Sequence, residues 1–524
     1  MDSACVHIKS VFSGEKMMLN RRDFMRGMAA CVLGSVLTGC SISDVEETAV
    51  LDTQEESEKS IDPDKVETIT WYYFYGRMSR EEEQQNRELE KTLSRKLQEK
   101  GLPVEVVFKK YDEFEFSEKK NISLFEEADI LFVPPNFPDY DSYAVLARKG
   151  KLACWDPYLQ STEGIVLRKC FPEKYWKGTE VDGKVYALLT PSFYLKTYYS
   201  INKKIADKYG IREEDLSEEN MSALVSRVYQ EENRAGNEAF IGLEATQFDR
   251  VGPHMFYPLT SAEEIGVYKD DGKWKATFLV DIPEYQTFIR KMNGLYLEGA
   301  YQAANEQRLE GNFFAMYCPS YSKKGAAKRS LTMLKDKTFG EENFLIKETS
   351  NCPNHQYRGN GSRMAVWEAS PRKSLAMKVL ATIYGDAELS ELINYGIEGK
   401  NWRETDGGKR IECLSGDYSR YFGNLFLMRP STKEDENRVE DVWNLIEQES
   451  SPLCGFHLDI SGAEETWERI VSVQLMYMDT YYSGISDSID EDEEKIREQL
   501  KAIGGYSVLK EIEEQLNRFS QINE

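Results

Sequence analysis

The chain has few of the residues from which reactive centres are usually built. It holds four histidines and nine cysteines in 524 residues, and no two cysteines form a C-x-x-C pair. Beyond residue 39 the histidines are His254, His355 and His457, and the cysteines after Cys40 are Cys154, Cys170, Cys318, Cys352, Cys413 and Cys454. That inventory does not suit a zinc centre, and no metal site or cofactor is expected. No G-x-S-x-G elbow, H-E-x-x-H helix or P-loop occurs. The acidic run Asp490-Glu491-Asp492-Glu493-Glu494 lacks the spaced ligands and central glycine of a calcium loop, and reads as a solvated helix start.

Basic charge is also scarce, with 66 Lys and Arg against 90 Asp and Glu. Without residues 1–39, which carry 5 basic and 3 acidic side chains, the formal net charge is −26. Such a surface repels nucleic acid and anionic headgroups, so neither is expected as a partner. After Cys40 no run of 18 apolar residues appears, so no later segment is expected to span a bilayer.

What is present begins with an export signal in residues 1–39. Its basic part is Asn20-Arg21-Arg22-Asp23-Phe24-Met25-Arg26. The pair Arg21 and Arg22 matches the twin-arginine pattern, although the same stretch also serves the general secretory route. The apolar part runs only from Gly27 to Leu37, short of the roughly 20 residues of a spanning helix. Leu37-Thr38-Gly39-Cys40 then has the layout of a lipobox. It predicts lipid on Cys40 and attachment to the outer face of the bacterial cytoplasmic membrane. Translation could start at Met1, Met17 or Met18. Residues 40–65 are acidic and lack apolar periodicity, which predicts a disordered tether spanning on the order of 25–30 Å.

The remaining length suits two or three domains. Glu67 to Tyr75 is a β-branched and aromatic run stopped by Gly76, and predicts a strand. Leu89, Leu93 and Leu97 mark one face of a helix over 80–100. Strands are predicted at 103–108 and 128–133, with a helix near 140–149. Strand, helix, strand, helix predicts a parallel, doubly wound α/β sheet. A second α/β region is expected over 200–320. Within it Asp270-Asp271-Gly272-Lys273 predicts a hairpin turn, 282–297 a helix with Pro283 in its first turn, and Phe313 to Tyr317 a buried strand. The last 140 residues read as mostly helical, with stripes at 462–482 and 490–518. Export would permit a disulfide, Cys154 and Cys170 being nearest in sequence, but buried thiols fit equally well.

Several phrases then occur in a telling order. They are Val181-Asp182-Gly183-Lys184-Val185-Tyr186-Ala187-Leu188, Ser200-Ile201-Asn202-Lys203, Met292-Asn293-Gly294-Leu295-Tyr296-Leu297-Glu298-Gly299 and Gly311-Asn312-Phe313-Phe314-Ala315. The most specific is Leu392-Ile393-Asn394-Tyr395-Gly396-Ile397-Glu398-Gly399-Lys400-Asn401-Trp402; Gly423-Asn424-Leu425-Phe426, Gly455 to Asp459 and Lys510 to Leu516 follow it. Together they resemble the extracellular solute-binding proteins of family 1, the receptor lipoproteins of ABC importers, in a LipO-like branch. Trp402 departs from the tyrosine usual in that branch, and Ala369 and Pro371 flank a segment usually richer in Ser, Thr and Asn.

The resemblance implies a two-lobed, periplasmic-binding-protein-like α/β fold of type II. Its doubly wound sheets would be joined by a hinge, with a helical C-terminal part. The expected division is 66–190 with 325–384 as lobe 1 and 191–324 with 385–524 as lobe 2. It implies a monomer that is not an enzyme. This monomer would bind a solute, most naturally a sugar, by hinge closure and deliver it to the permease subunits of an importer.

Ligands of open α/β sheets sit outside the carboxyl ends of strands. That rule nominates Phe74 and Tyr75 after the first strand, Asn136 after the third and Tyr317 in the second lobe. The crossover adds Tyr194, the return segment Trp367 and Glu368, and the specific run Asn401 and Trp402. Aromatic residues make up 12% of the chain, 30 of them Tyr, which suits stacking on sugar rings. Two other functions fit the same residues: a ligand-binding partner of a membrane sensor, and a glycoside hydrolase recruiting Glu368 or Glu398.

Overall fold

The structure is a computed structural model. It describes residues 66–523 apart from 75–79, 112–126, 134–141, 191–195, 246–256, 259–264, 304–310, 349–358, 415–421 and the single positions 321, 337, 360, 433 and 435. The export signal, Arg21, Arg22, Cys40 and the tether lie outside the described residues.

Contacts group the chain into two units. Among the described residues the first unit comprises 66–194, 355–461 and 515–523, and the second comprises 195–354 and 462–514. Each is built on a five-stranded sheet. In chain order the ten strands are β1 (Glu67–Phe74), β2 (Val104–Tyr111), β3 (Ile130–Val133), β4 (Ala187–Thr190), β5 (Lys196–Asn202), β6 (Ile241–Ala245), β7 (Tyr301–Ala303), β8 (Phe313–Ser320), β9 (Phe344–Glu348) and β10 (Ser362–Val366).

The first sheet has the order β2-β1-β3-β10-β4. β1 runs parallel to β2 and β3, while β10 is antiparallel to both β3 and β4. Alternation in β1 buries Ile69, Trp71 and Tyr73. The helix Arg80–Glu99 packs Leu89, Leu93 and Leu97 inward, each fully buried. Its next row faces the edge strand β2. Glu90 accepts from the Phe108 N–H at 2.7 Å, Ser94 accepts from the Val106 N–H at 2.9 Å, and Gln98 donates to the Val104 carbonyl at 2.9 Å. Positions spaced by four thus occupy groups that an edge strand would leave open.

The second sheet has the order β7-β6-β8-β5-β9. β6 is parallel to β7 and β8, and β5 is antiparallel to β8 and β9. The central strand β8 buries a continuous run from Phe313 to Cys318, as a strand covered on both faces must. Tyr199, Val225, Leu243, Leu295 and Phe314 fill one side of it. The expected hairpin is present, with Asp271 and Gly272 both at positive φ between Ile265–Asp270 and Lys273–Phe278.

The division differs from the expected one in three places, the shortest being 515–523, which joins the first unit where Gln515 donates to the Asp459 carbonyl at 2.7 Å. Residues 325–354 belong with the second unit, because β9 is the edge strand beside β5 and Ser330 bonds Ser200 at 2.7 Å inside the core. Residues 385–461 belong with the first. There Phe422 sets its ring against Trp71, Tyr73 and Phe132 at 5.8, 6.1 and 5.5 Å. Lys96 and Lys100 also pair with Glu388 and Asp386 at the start of the helix Ala387–Tyr395. The helical stripes of the last segment are interrupted as well. One helix is Glu464–Tyr477, and Gly504 at φ 77° divides Ile489–Ala502 from Gly505–Asn523.

Candidate functional site

Each sheet has four strands running one way and one reversed, and the reversed strand is in each case the first after a chain crossing. The chain leaves the first unit at the carboxyl end of β4 and enters the second at the amino end of β5. Because β5 is reversed, that end lies on the carboxyl edge of its sheet. The return repeats the pattern, from the carboxyl end of β9 to the amino end of the reversed strand β10. Of the four passages between the units, these two join sheet to sheet, and both run from carboxyl edge to carboxyl edge, the edge at which open α/β sheets hold ligands.

On the first sheet this edge is formed by Phe74, Tyr111, Val133, Thr190 and Ser362, with Thr190 opposite Ser362 and Val133 opposite Arg363. Thr190 shares a hydrogen bond of 3.1 Å with the Tyr384 hydroxyl and donates to the Gly423 carbonyl at 3.3 Å. Burial raises the Tyr384 phenol above its ordinary value, so it stays a neutral donor and acceptor. Arg363 is buried, donates to the Gly359 carbonyl at 2.8 Å, and lies 4.5 Å from the Tyr143 ring centroid. Gly359 and Gly361 bring the chain into β10 at very close range. A Cβ on the first would meet the Gly178 carbonyl oxygen at 2.0 Å, and on the second the Thr190 carbonyl oxygen at 2.5 Å.

On the second sheet the edge carries Lys196, Ser320 and Glu348. Lys196 opens the strand after the first crossing and Glu348 closes the strand before the return, and the two form an ion pair at 3.3 Å. Glu244, opposite Met316 on β8, is buried just inside the same edge.

The nominated residues fall into three groups. Phe74 ends β1; its side chain, with Tyr75, Asn136 and Tyr194, lies outside the described residues. Tyr317 is enclosed in the second unit's core, edge-on to Tyr199 at 4.8 Å, because both lie at paired positions facing the same layer. Trp367 and Glu368 are at the opposite edge of the first sheet from Phe74. The cause is the reversal of β10, whose carboxyl end meets the start of β3: Trp367 N–H donates to Asp129 O at 3.0 Å. Glu368 pairs with Lys373 at 2.6 Å in the turn that follows.

Asn401 and Trp402 are buried staples of their own loop. Asn401 accepts from the Ile397 N–H at 2.9 Å, and the Trp402 indole donates to the Gly396 carbonyl at 3.0 Å. Their loop belongs to the first unit, where Lys400 pairs with Glu88. Sequence reasoning passed over Thr190, Arg363 and the Lys196–Glu348 pair. A usable signal existed for Arg363, a charge inside an apolar strand just after two closely spaced glycines.

Among the described residues no group of three or more His, Cys, Asp or Glu side chains could hold a metal ion. No helix among them is long and apolar enough to cross a membrane. Cys154, Cys170, Cys318, Cys413 and Cys454 are free thiols, and burial pushes the Cys454 thiol up to about 12.

This architecture is shared with proteins of known kind. The chain is 21% identical over 395 residues to a carbohydrate ABC transporter substrate-binding protein of Streptococcus pneumoniae serotype 4, covering 72% of this chain and 78% of that protein. It superposes on the N-glycan transport solute binding protein NgtS of Streptococcus pneumoniae with a TM-score of 0.65 at 19% identity, over 87% of this chain and 100% of the other. An HMO-binding, ABC-transporter-associated solute-binding protein from Bifidobacterium longum infantis gives a TM-score of 0.55 at 14% identity, over 88% of this chain and 99% of the other. No family model matches the chain. The fold is that of the extracellular solute-binding proteins, and the family resemblance read from the sequence stands.

Proposed function

We propose that the chain is a membrane-anchored solute-binding lipoprotein that captures a carbohydrate or oligosaccharide by hinge closure and delivers it to an ABC importer. The observation that carries this reading is the topology: the two crossings that join the sheets run from the carboxyl edge of one to that of the other. Such a connection suits a receptor whose ligand-holding edges are linked by short crossing segments. The class of ligand is supported by the relatives. The S. pneumoniae relative is named for carbohydrate transport, and NgtS structures hold Man1GlcNAc and Man5GlcNAc.

The contacts we assign to the solute are Phe74 and Tyr75 after β1, Asn136 after β3 and Tyr194 on the first crossing. Aromatic rings stack on sugar faces, and the amide pairs hydroxyls that would be costly to bury alone. Cys40 carries the lipid, the Arg21-Arg22 signal exports the chain, and residues 40–65 let a monomeric receptor reach its permease subunits. Lipid must do the anchoring, since a charge of −26 gives no attraction to anionic headgroups.

The test is thermal denaturation of the mature chain against a panel of mannosyl-N-acetylglucosamine and milk-type oligosaccharides, with product analysis alongside. A bound sugar at 100 times its Kd should add about 2.7 kcal/mol. A stability gain without sugar turnover supports the receptor. No gain with any carbohydrate removes the sugar assignment, and hydrolysis would make the chain an enzyme.

A further inference from the structure

The first unit contains a cavity of about 150 Å³ whose polar lining is Asp156, Gln160, Arg168 and Glu180, with Trp176 as its aromatic wall. It is not part of the carboxyl edge. Val185, also in the lining, precedes β4 and accepts from the Trp155 N–H at 2.7 Å. The neighbouring Ala153 N–H donates to the Val366 carbonyl at 2.8 Å, at the carboxyl end of the reversed strand β10. The cavity therefore lies at the edge where β3 and β4 begin.

The hydrogen-bonding state of the lining selects a ligand. Asp156 accepts from the Val185 N–H at 3.2 Å and also faces the Cys154 thiol. Glu180 accepts one from Lys177 at 3.1 Å. Each ionised carboxylate keeps further lone pairs. The Arg168 guanidinium lies 5.9 Å from the Trp176 ring centroid, while the indole N–H donates to the Arg168 carbonyl at 3.4 Å. The guanidinium thus stays near the indole, and its N–H groups remain available as donors. Among the described residues no carboxylate pairs with Arg168, and the Gln160 side-chain amide makes no hydrogen bond, its backbone N–H donating to the Asp156 carbonyl at 3.2 Å.

Within the lining Arg168 offsets Asp156, while Glu180 is offset by its pair with Lys177 beside the cavity, so the lining favours neither a free anion nor a free cation. A neutral ligand whose groups both donate and accept matches this lining, and hydroxyls do both. The volume lies below the roughly 300 Å³ at which pockets for drug-sized ligands begin. A cavity of that order suits a single sugar ring.

We propose that this cavity is a second carbohydrate site, taking a single neutral hexose unit, separate from the carboxyl-edge site. The proposal stands on its own lining residues, and its failure leaves the receptor function untouched. The test is saturation-transfer NMR and calorimetry of the mature chain with methyl glucoside, methyl galactoside and methyl mannoside. A Gln160→Ala/Arg168→Ala double variant serves as the control. Both side chains are exposed, so the variant should melt as the parent does. One of the methyl hexosides should bind saturably, and the double variant should bind it about tenfold more weakly, as the loss of one or two hydrogen bonds gives. The proposal is overturned by the absence of saturable binding, by unchanged affinity in the double variant, or by preferential binding of a uronate.

Discussion

The backbone N–H of Trp367 donates to the carbonyl of Asp129 at 3.0 Å, which fixes Trp367 at the end of the first sheet where β3 begins. The Asp129 carboxylate holds the same corner. It accepts from Ser370 Oγ at 2.5 Å, from Arg372 Nε at 3.1 Å and from the Thr70 N–H at 2.8 Å. Trp367 is therefore part of a buried corner on the side of the sheet away from the edge assigned to ligand.

Truncation at this corner should separate stability from binding. Trp367→Ala should cost about 3–5 kcal/mol of stability, the usual range for a large buried aromatic. Trp367→Phe and Glu368→Gln should leave carbohydrate affinity unchanged. Tyr75→Ala or Asn136→Ala should instead weaken affinity about tenfold or more with little change in melting temperature. Calorimetric titration alongside denaturant melts reads both quantities. A tenfold affinity loss in Glu368→Gln would return that residue to the ligand edge.

What could be read from the sequence was local. The Leu89, Leu93 and Leu97 stripe, the alternation of β1 and the Asp271-Gly272 turn each depend on residues within one element, and each appears as expected. The direction of β10 does not. Ser362–Val366 would look the same parallel or antiparallel, and only its register with β3 and β4 puts Trp367 at the far edge. The placement of 385–461 likewise depends on Phe422 reaching Trp71 and Phe132 some 300 positions earlier. A break in the last helical stripe was signalled by Gly504-Gly505, a pair that a helix interior rarely tolerates.

The bond from the Val106 N–H to Ser94 gives a second prediction. Ser94→Ala removes the acceptor for an edge-strand amide while keeping the helix, and should cost about 1 kcal/mol. Hydrogen exchange should show faster exchange at Val106 than at the amides of β1. Unchanged protection at Val106 would mean that water replaces the serine without loss.

Trp402 joins its loop through the indole bond to Gly396 and through Arg429, whose guanidinium lies 5.3 Å from its ring centroid. Trp402→Phe keeps an aromatic ring but removes the donor and the pyrrole part of the indole, so stability should fall by about 1–3 kcal/mol with carbohydrate affinity unchanged. A selective loss of affinity at unchanged stability would instead make Trp402 a ligand contact.

Cys40→Ala should free the protein from the membrane without altering its recognition of sugar. Membrane fractionation and binding of the released chain measure the two effects separately. An Ala variant that still pellets with membranes would refute the lipobox.

Glu434 should make stability depend on pH. Its carboxylate is enclosed beside Arg438 at 3.6 Å, accepts from the Ser431 N–H at 2.7 Å, and is also faced by Arg410 and Tyr395. Desolvation outweighs these favourable partners and raises its pKa from 4.5 to about 7. Because the folded value lies above the unfolded one, the contribution is fully present below pH 4.5 and is lost as pH rises through about 7. The loss is up to about 3 kcal/mol at 1.36 kcal/mol per unit. Urea melts at pH 5 and pH 8 should therefore differ more in the parent than in Glu434→Gln. The glutamine leaves Arg438 without its carboxylate, so the variant should be weaker at both values and the comparison rests on the slope. Parallel pH profiles in the two proteins would show that Glu434 is ionised throughout this range and that its ion pair with Arg438 prevails over burial.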